Sequence, residues 1–216
     1  MVLSLEGLPM SIRNVHLFVF DSMSDWQASF AIAGINNPRF QTEHGRYRVV
    51  TVGSTTKPIA TMGGLRVLPD VSLAEIHPHR SAMLILPGGD SWESTGHTDA
   101  VELARAFFVE AVPIAAICSA TLALACAGLL DDFHHTSNSR AYLSRTGYRG
   151  GNFYLEAPAV RDESLITASG TAPVQFALEI FRTLGLNGRE GLDASPARYK
   201  FGHAPHSFEP SNCLAR

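Results

Sequence analysis

The chain predicts an α/β fold with a mainly parallel central sheet. Three observations point there. Apolar, β-branched strand candidates alternate with helix candidates along the sequence. The run Met83-Leu84-Ile85-Leu86 is apolar at every position, as in a strand covered on both faces. An apolar run over 112–117 stops at Cys118 and continues into an Ala- and Leu-rich helical stretch over 119–130.

The elements follow in order. Val15-His16-Leu17-Phe18-Val19-Phe20 reads as the first strand and ends at the turn-forming cluster Asp21-Ser22-Met23-Ser24. A helix follows, with Ser24 or Asp25 near its start. Residues 47–52 form a second strand, and 57–68, with Pro58 and Gly63-Gly64, a hairpin or short excursion. The Leu86 strand ends in Pro87-Gly88-Gly89. Thr98 is the expected N-cap of a helix reaching about residue 110, with Asp99 in its first turn. A short strand is expected over 134–138 and a pair over 159–162 and 165–168. Thr171 is the expected cap of a last helix, with Pro173 just inside it and Gly185 ending it. Val174, Ala177, Leu178, Phe181 and Leu184 recur at helical spacing and form a core stripe.

With 216 residues, the chain suits one α/β domain over 12–186, followed by an irregular extension over 187–216 rich in Gly, Pro, His and Ser. Charged residues are only 17% against 45% hydrophobic, which excludes a disordered chain. The net charge of −3 argues against nucleic acid as the main partner. No apolar run is long enough to cross a membrane, and residues 1–11 lack the pattern of a secretory signal. Three irregularly spaced cysteines give no disulfide framework, so a reducing cytoplasm is expected. Cys126 reads as core and Cys213 as exposed. The pairs His134/His135 and His203/His206 read as partly solvated surface residues. No Cys/His spacing resembles a zinc site, and no residue pattern requires a metal or an organic cofactor.

Ligands in parallel α/β folds sit at the carboxyl ends of the strands. Asp25, Gly88-Gly89 and Cys118 all fall there, from three distant segments. Cys118 sits at a strand-to-helix turn, the position of a nucleophile elbow, where the helix dipole favours a thiolate. The competing reading is a buried structural cysteine. The Gly88, Gly89 and Ser119 N–H groups are candidate oxyanion donors, although Pro-Gly-Gly also ends ordinary strands. Asp25 is the candidate acid partner, or else simply a helix N-terminal acid. Trp92 either lines the site or packs.

The segments Leu84-Ile85-Leu86-Pro87-Gly88-Gly89, Ala115-Ala116-Ile117-Cys118-Ser119-Ala120, Ala127-Gly128-Leu129-Leu130-Asp131 and His135-Thr136-Ser137-Asn138 together resemble the ThiJ/PfpI superfamily. So does the stretch from Val160 to Thr171 with the helix after it. The resemblance runs over about 15–185. It implies a flavodoxin-like three-layer sandwich related to the class I glutamine amidotransferases. It also implies a homodimer or larger assembly, and an activity among intracellular peptidases and amidases, glyoxalase-like enzymes, isonitrile hydratases or oxidation-sensing proteins. The family's elbow cysteine falls on Cys118. Its acidic residue, which hydrogen-bonds the thiol, falls on Asp25, with Asp21 as fallback. Where many members carry His after the cysteine this chain has Ser119, and Asn138 stands where many place a later His; His134 or His135 is the candidate substitute.

Three functions follow. The first is a cysteine-dependent enzyme of hydrolase, amidase or hydratase type acting on a small molecule, with Cys118 as nucleophile and Asp25 as acid. The second is a stress-responsive protein in which Cys118 senses oxidation without turnover. The third is a catalytically silent descendant of the fold.

Overall fold

The computed structural model describes residues 12–37, 46–94 and 97–186. In chain order the elements are β1 (Arg13–Phe18), α1 (Asp25–Asn36), β2 (Tyr47–Gly53), β3 (Ile59–Ala60), β4 (Arg66–Val67), β5 (Val71–Ser72), β6 (Ser81–Leu86), α2 (Thr98–Val109), β7 (Ile114–Ile117), α3 (Ser119–Cys126), α4 (Arg140–Ser144), β8 (Ala159–Asp162), β9 (Leu165–Ala168) and α5 (Pro173–Leu184). Seven strands form one sheet in the order β5-β2-β1-β6-β7-β9-β8. Every pairing is parallel except β8 against β9. β3 and β4 form a separate antiparallel hairpin. This is the flavodoxin-like α/β arrangement.

The topology places the site. From β1 the chain steps one way to β2 and the other way to β6, β7 and β9. Right-handed crossovers therefore put α1 on the opposite face from α2. The reversal opens a crevice at the carboxyl ends of β1, β6 and β7. The central strands are apolar because both faces are covered: all of β6 and β7 is buried. α5 packs on α1 and β9. The two helices approach so closely that a Cβ at Gly34 would run into the Phe181 ring.

Several local expectations need correction. α3 stops at Cys126, short of residue 130, because Gly128 takes φ 73° and closes the helix with bonds from Gly128 N–H to Ala125 O and from Leu129 N–H to Leu124 O. Cys126 is exposed, not core: it lies one turn beyond half-buried Leu122, on the outward face of α3. α2 is capped by His97 in a left-handed conformation rather than by Thr98, which is its first residue. α5 is capped by Ala172, while the Thr171 hydroxyl turns to Ser169. Residues 134–138 make one bridge, His135 to Tyr154, instead of a strand. His135 is fully buried rather than at the surface. The extension over 187–216, with Cys213, His203 and His206, lies outside the described residues.

Candidate active site

Cys118 is the hinge between β7 and α3. Its backbone has φ 62° and ψ −128°, a conformation that costs a non-glycine residue about 1–3 kcal/mol. Neighbouring bonds hold it there. The Cys118 N–H donates to Ala168 O at 3.0 Å, and Thr121 N–H and its hydroxyl both donate to Cys118 O. The turn lifts the half-buried thiol to the carboxyl end of the sheet, at the start of α3.

Two glycines wrap the sulfur. A Cβ on Gly88 would lie 3.1 Å from Sγ, and one on Gly170 would lie 2.7 Å from it. Any side chain at either position would displace the thiol. Asn138 completes the contact, its Nδ2 donating to Sγ at 3.4 Å. Its orientation is set chemically: Gly170 N–H can only donate, and it donates to Asn138 Oδ1 at 2.9 Å. The amino end must therefore face the sulfur.

The same logic applies on the other side. Gln27 is 1% exposed, and its Oε1 accepts from Gly88 N–H at 2.7 Å. Its Nε2 lies 3.2 Å from the Gly170 Cβ position that the sulfur also crowds. Gln27 sits on the inward stripe of α1 with Ala28, Ala31 and Ile35; Asp25 does not. The Asp25 carboxylate instead accepts from the Thr61 hydroxyl at 2.5 Å and from Gly63 N–H at 2.7 Å, pinning the β3–β4 hairpin to the start of α1. Burial alone would raise its carboxyl, but the bonds from Thr61, Gly63 and its own backbone outweigh it and hold it below the usual carboxylate range. An acid kept ionised and turned to the hairpin is not a proton donor to Cys118, so the acid-partner role drawn from sequence does not fit this placement.

The backbone donors are also redistributed. Gly88 N–H is taken by Gln27, and Gly89 N–H by the Ser119 hydroxyl at 3.0 Å, which returns a bond to Gly89 O at 2.9 Å. Neither glycine offers a free N–H to a substrate. Ser119 N–H, the first of α3, has no intrahelical acceptor and remains the donor of the predicted set.

Tyr142 and Glu93 were not legible from sequence. The Tyr142 hydroxyl donates to Glu93 at 2.9 Å, and Arg145 lies 4.0 Å from the same carboxylate. Burial first, then the Glu93 bond and charge, then the charge of Cys118 all raise the Tyr142 phenol, which stays protonated. The histidines are committed elsewhere. His134 pairs with Asp162 at 3.1 Å, and His135 bonds Phe133 O and the Tyr148 hydroxyl. Burial lowers His135, so it stays neutral near pH 7. Trp92 packs, with its indole N–H on Pro87 O at 2.8 Å. A cleft of about 390 Å³ is lined by Asn138, the residue that donates to the thiol, together with Thr136, Tyr154, Glu156 and Thr171; Cys118 itself does not line it. Among the described residues no group of three or more His, Cys, Asp or Glu is placed to hold a metal ion.

The fold that carries this elbow is also what known proteins share with this chain. The family model described as the DJ-1/PfpI family matches residues 13–183. The chain belongs to the DJ-1/PfpI family. It is 38% identical over 210 residues to a protein called "Uncharacterized protease YoaZ" from Bacillus subtilis, covering 96% of this chain and 100% of that one. A glutathione-independent glyoxalase, DJR-1.2 of Caenorhabditis elegans, is 28% identical over 145 residues, covering 65% of this chain and 75% of that one. The crystal structure of a thiJ/pfpI family protein from Bacillus anthracis superposes with a TM-score of 0.83 at 37% identity, covering 91% of this chain and 94% of that one. A DJ-1 superfamily protein from Agrobacterium tumefaciens, Atu0886, gives 0.79 at 32% identity, covering 89% and 100%. In this DJ-1/PfpI chain, the side chain that the first helix places against Gly88 and Gly170, the glycines that wrap the sulfur, is the amide of Gln27, not the acid that the resemblance implies.

Proposed function

We propose that the chain is a cysteine-dependent enzyme acting on a small molecule with an electrophilic carbon, with Cys118 as nucleophile. The observation that carries this reading is the strained Cys118 turn: a left-handed cysteine held by the Ala168 and Thr121 bonds, with an amide N–H on its sulfur. A structural cysteine needs none of this. In the proposed addition, Sγ forms the bond to carbon, and the electron pair of that carbon's multiple bond moves onto its heteroatom. Ser119 N–H at the head of α3 receives the developing anion, and solvent supplies the proton. The names of the two relatives, protease and glyoxalase, both denote chemistry at a carbonyl carbon.

Two further statements belong to this reading. Free thiols at Cys118 and Cys126 suit a reducing compartment, the cytoplasm. No helix among the described residues is long and apolar enough to cross a membrane. A homodimer would cover the apolar patch formed by Trp26, Phe30, Met62 and Leu65, which are 50%, 38%, 42% and 62% exposed. Asp25 and Met23 tie the hairpin that carries Met62 and Leu65 to the start of α1, the helix that carries Trp26 and Phe30.

The test is turnover of a panel of small aldehydes, amides, nitriles and isonitriles by the wild type and by Cys118→Ser. The reading expects at least one compound consumed catalytically, with activity lost in the variant. Stoichiometric oxidation of Cys118 by peroxide, with no compound consumed, would favour the sensor instead.

A further inference from the structure

Gln27 holds a hydrogen-bond donor on the side of the Cys118 sulfur. The side chain is 1% exposed, yet its Nε2 has no hydrogen-bond partner among the described residues; its one side-chain bond is the one Oε1 accepts from Gly88. The Gly88 N–H, which can only donate, fixes which end of the amide faces which way. The amino end is left on the side where a Gly170 Cβ would meet Sγ at 2.7 Å and Nε2 at 3.2 Å. An amide N–H beside a sulfur gains a charge-assisted hydrogen bond when that sulfur becomes an anion.

We propose that Gln27 is a catalytic residue whose Nε2 group donates a hydrogen bond to the Cys118 sulfur in its ionised form, pairing with Asn138 from the opposite side. The proposal rests on the reading of Cys118 as a nucleophile. The thiolate is then stabilised by two neutral amides, each locked by a glycine N–H, with no acid sharing its proton. The titratable groups around it are few. Tyr142 on α4 stays protonated, Glu93 lies behind it, and Asp25 on α1 faces the hairpin. Because an amide does not titrate, sulfur reactivity rises with pH in a single step. The ligand class also follows: three N–H donors and no carboxylate in contact favour substrates whose electrophilic carbon bears an acceptor oxygen or nitrogen, not a cationic group.

The experiment is iodoacetamide alkylation of the full chain from pH 5 to 10, with each cysteine quantified by peptide mass spectrometry. In Gln27→Met the donor is gone. The rate at Cys118 at pH 7, relative to its own rate at pH 10, should fall at least about tenfold, because a hydrogen bond to a charged group is lost. A packing change alone would move both rates together. Gln27→Glu keeps the acceptor for Gly88 N–H and so guards against misfolding of the first variant; it should turn the single step into two. A ratio within about twofold of wild type in Gln27→Met, or a single unshifted step in Gln27→Glu, overturns the proposal while the nucleophile stands. If wild-type Cys118 shows the same pH dependence as Cys126, the nucleophile reading falls and the proposal falls with it.

Discussion

Two residues a short distance apart on α1 divide the work that sequence assigns to one. Asp25 is polar, follows the first strand and starts a helix, so it attracts the catalytic role. Helix geometry decides otherwise, since positions two apart point to different faces. Asp25 faces the hairpin, and Gln27 shares the buried stripe with Ala28 and Ala31. The clue was present: a glutamine on an otherwise apolar stripe is a buried polar group that needs a partner. Asp25→Ala should therefore lower stability by about 1–2 kcal/mol, the worth of its bonds to Thr61 and Gly63, while alkylation of Cys118 stays within about twofold of wild type. Urea unfolding and alkylation rates check both halves. Asn138→Ala removes the donor seen on the sulfur and leaves Gly170 N–H unpaired, so Cys118 reactivity at pH 7 should drop about tenfold.

At the scale of elements, the central strands and the Cys118 elbow were legible because apolar runs and turn residues report them directly; the order of the strands in the sheet was not. Helix ends were less legible. The Ala- and Leu-rich stretch after Cys118 carries no propensity signal to stop at residue 126; the left-handed Gly128 ends it. Of the histidine pair only His135 departs from the surface reading: adjacent residues on extended chain face opposite ways, leaving exposed His134 on Asp162 and His135 in the core. The α1–α5 contact invites a direct test. Gly34→Ala should cost about 1–3 kcal/mol, because the new methyl meets the Phe181 ring. The double variant with Phe181→Leu should recover part of that loss, measurable as a non-additive shift in the urea midpoint.

At the scale of the whole molecule, acid stability follows from buried His16 and His135 and half-buried His97. Burial lowers His16 from 6.5 to about 4, and it lowers His97 and His135 as well. His16 stands in β1 with a buried Nδ1 that has no hydrogen-bond partner among the described residues. Between pH 6.5 and about 4 the unfolded chain binds the proton that the folded chain refuses, so stability is full above this window and falls as pH drops through it. Melting temperature should decline from pH 7 to 5, and His16→Leu should decline less; an equal decline removes His16 from the account. The proposed dimer is tested by light scattering, where Trp26→Glu should shift the mass toward the monomer. The Trp26 indole also donates to Gly170 O at 3.4 Å, so that variant reports on the site as well. The central claim is that Cys118 is an activated nucleophile, and it is tested most directly by competition within one molecule. Substoichiometric iodoacetamide at pH 7 is offered to the folded protein, and labelling of half-buried Cys118 is compared with that of exposed Cys126 by peptide mass spectrometry. The account predicts that Cys118 labels first despite its smaller exposure; preferential labelling of Cys126 would contradict it.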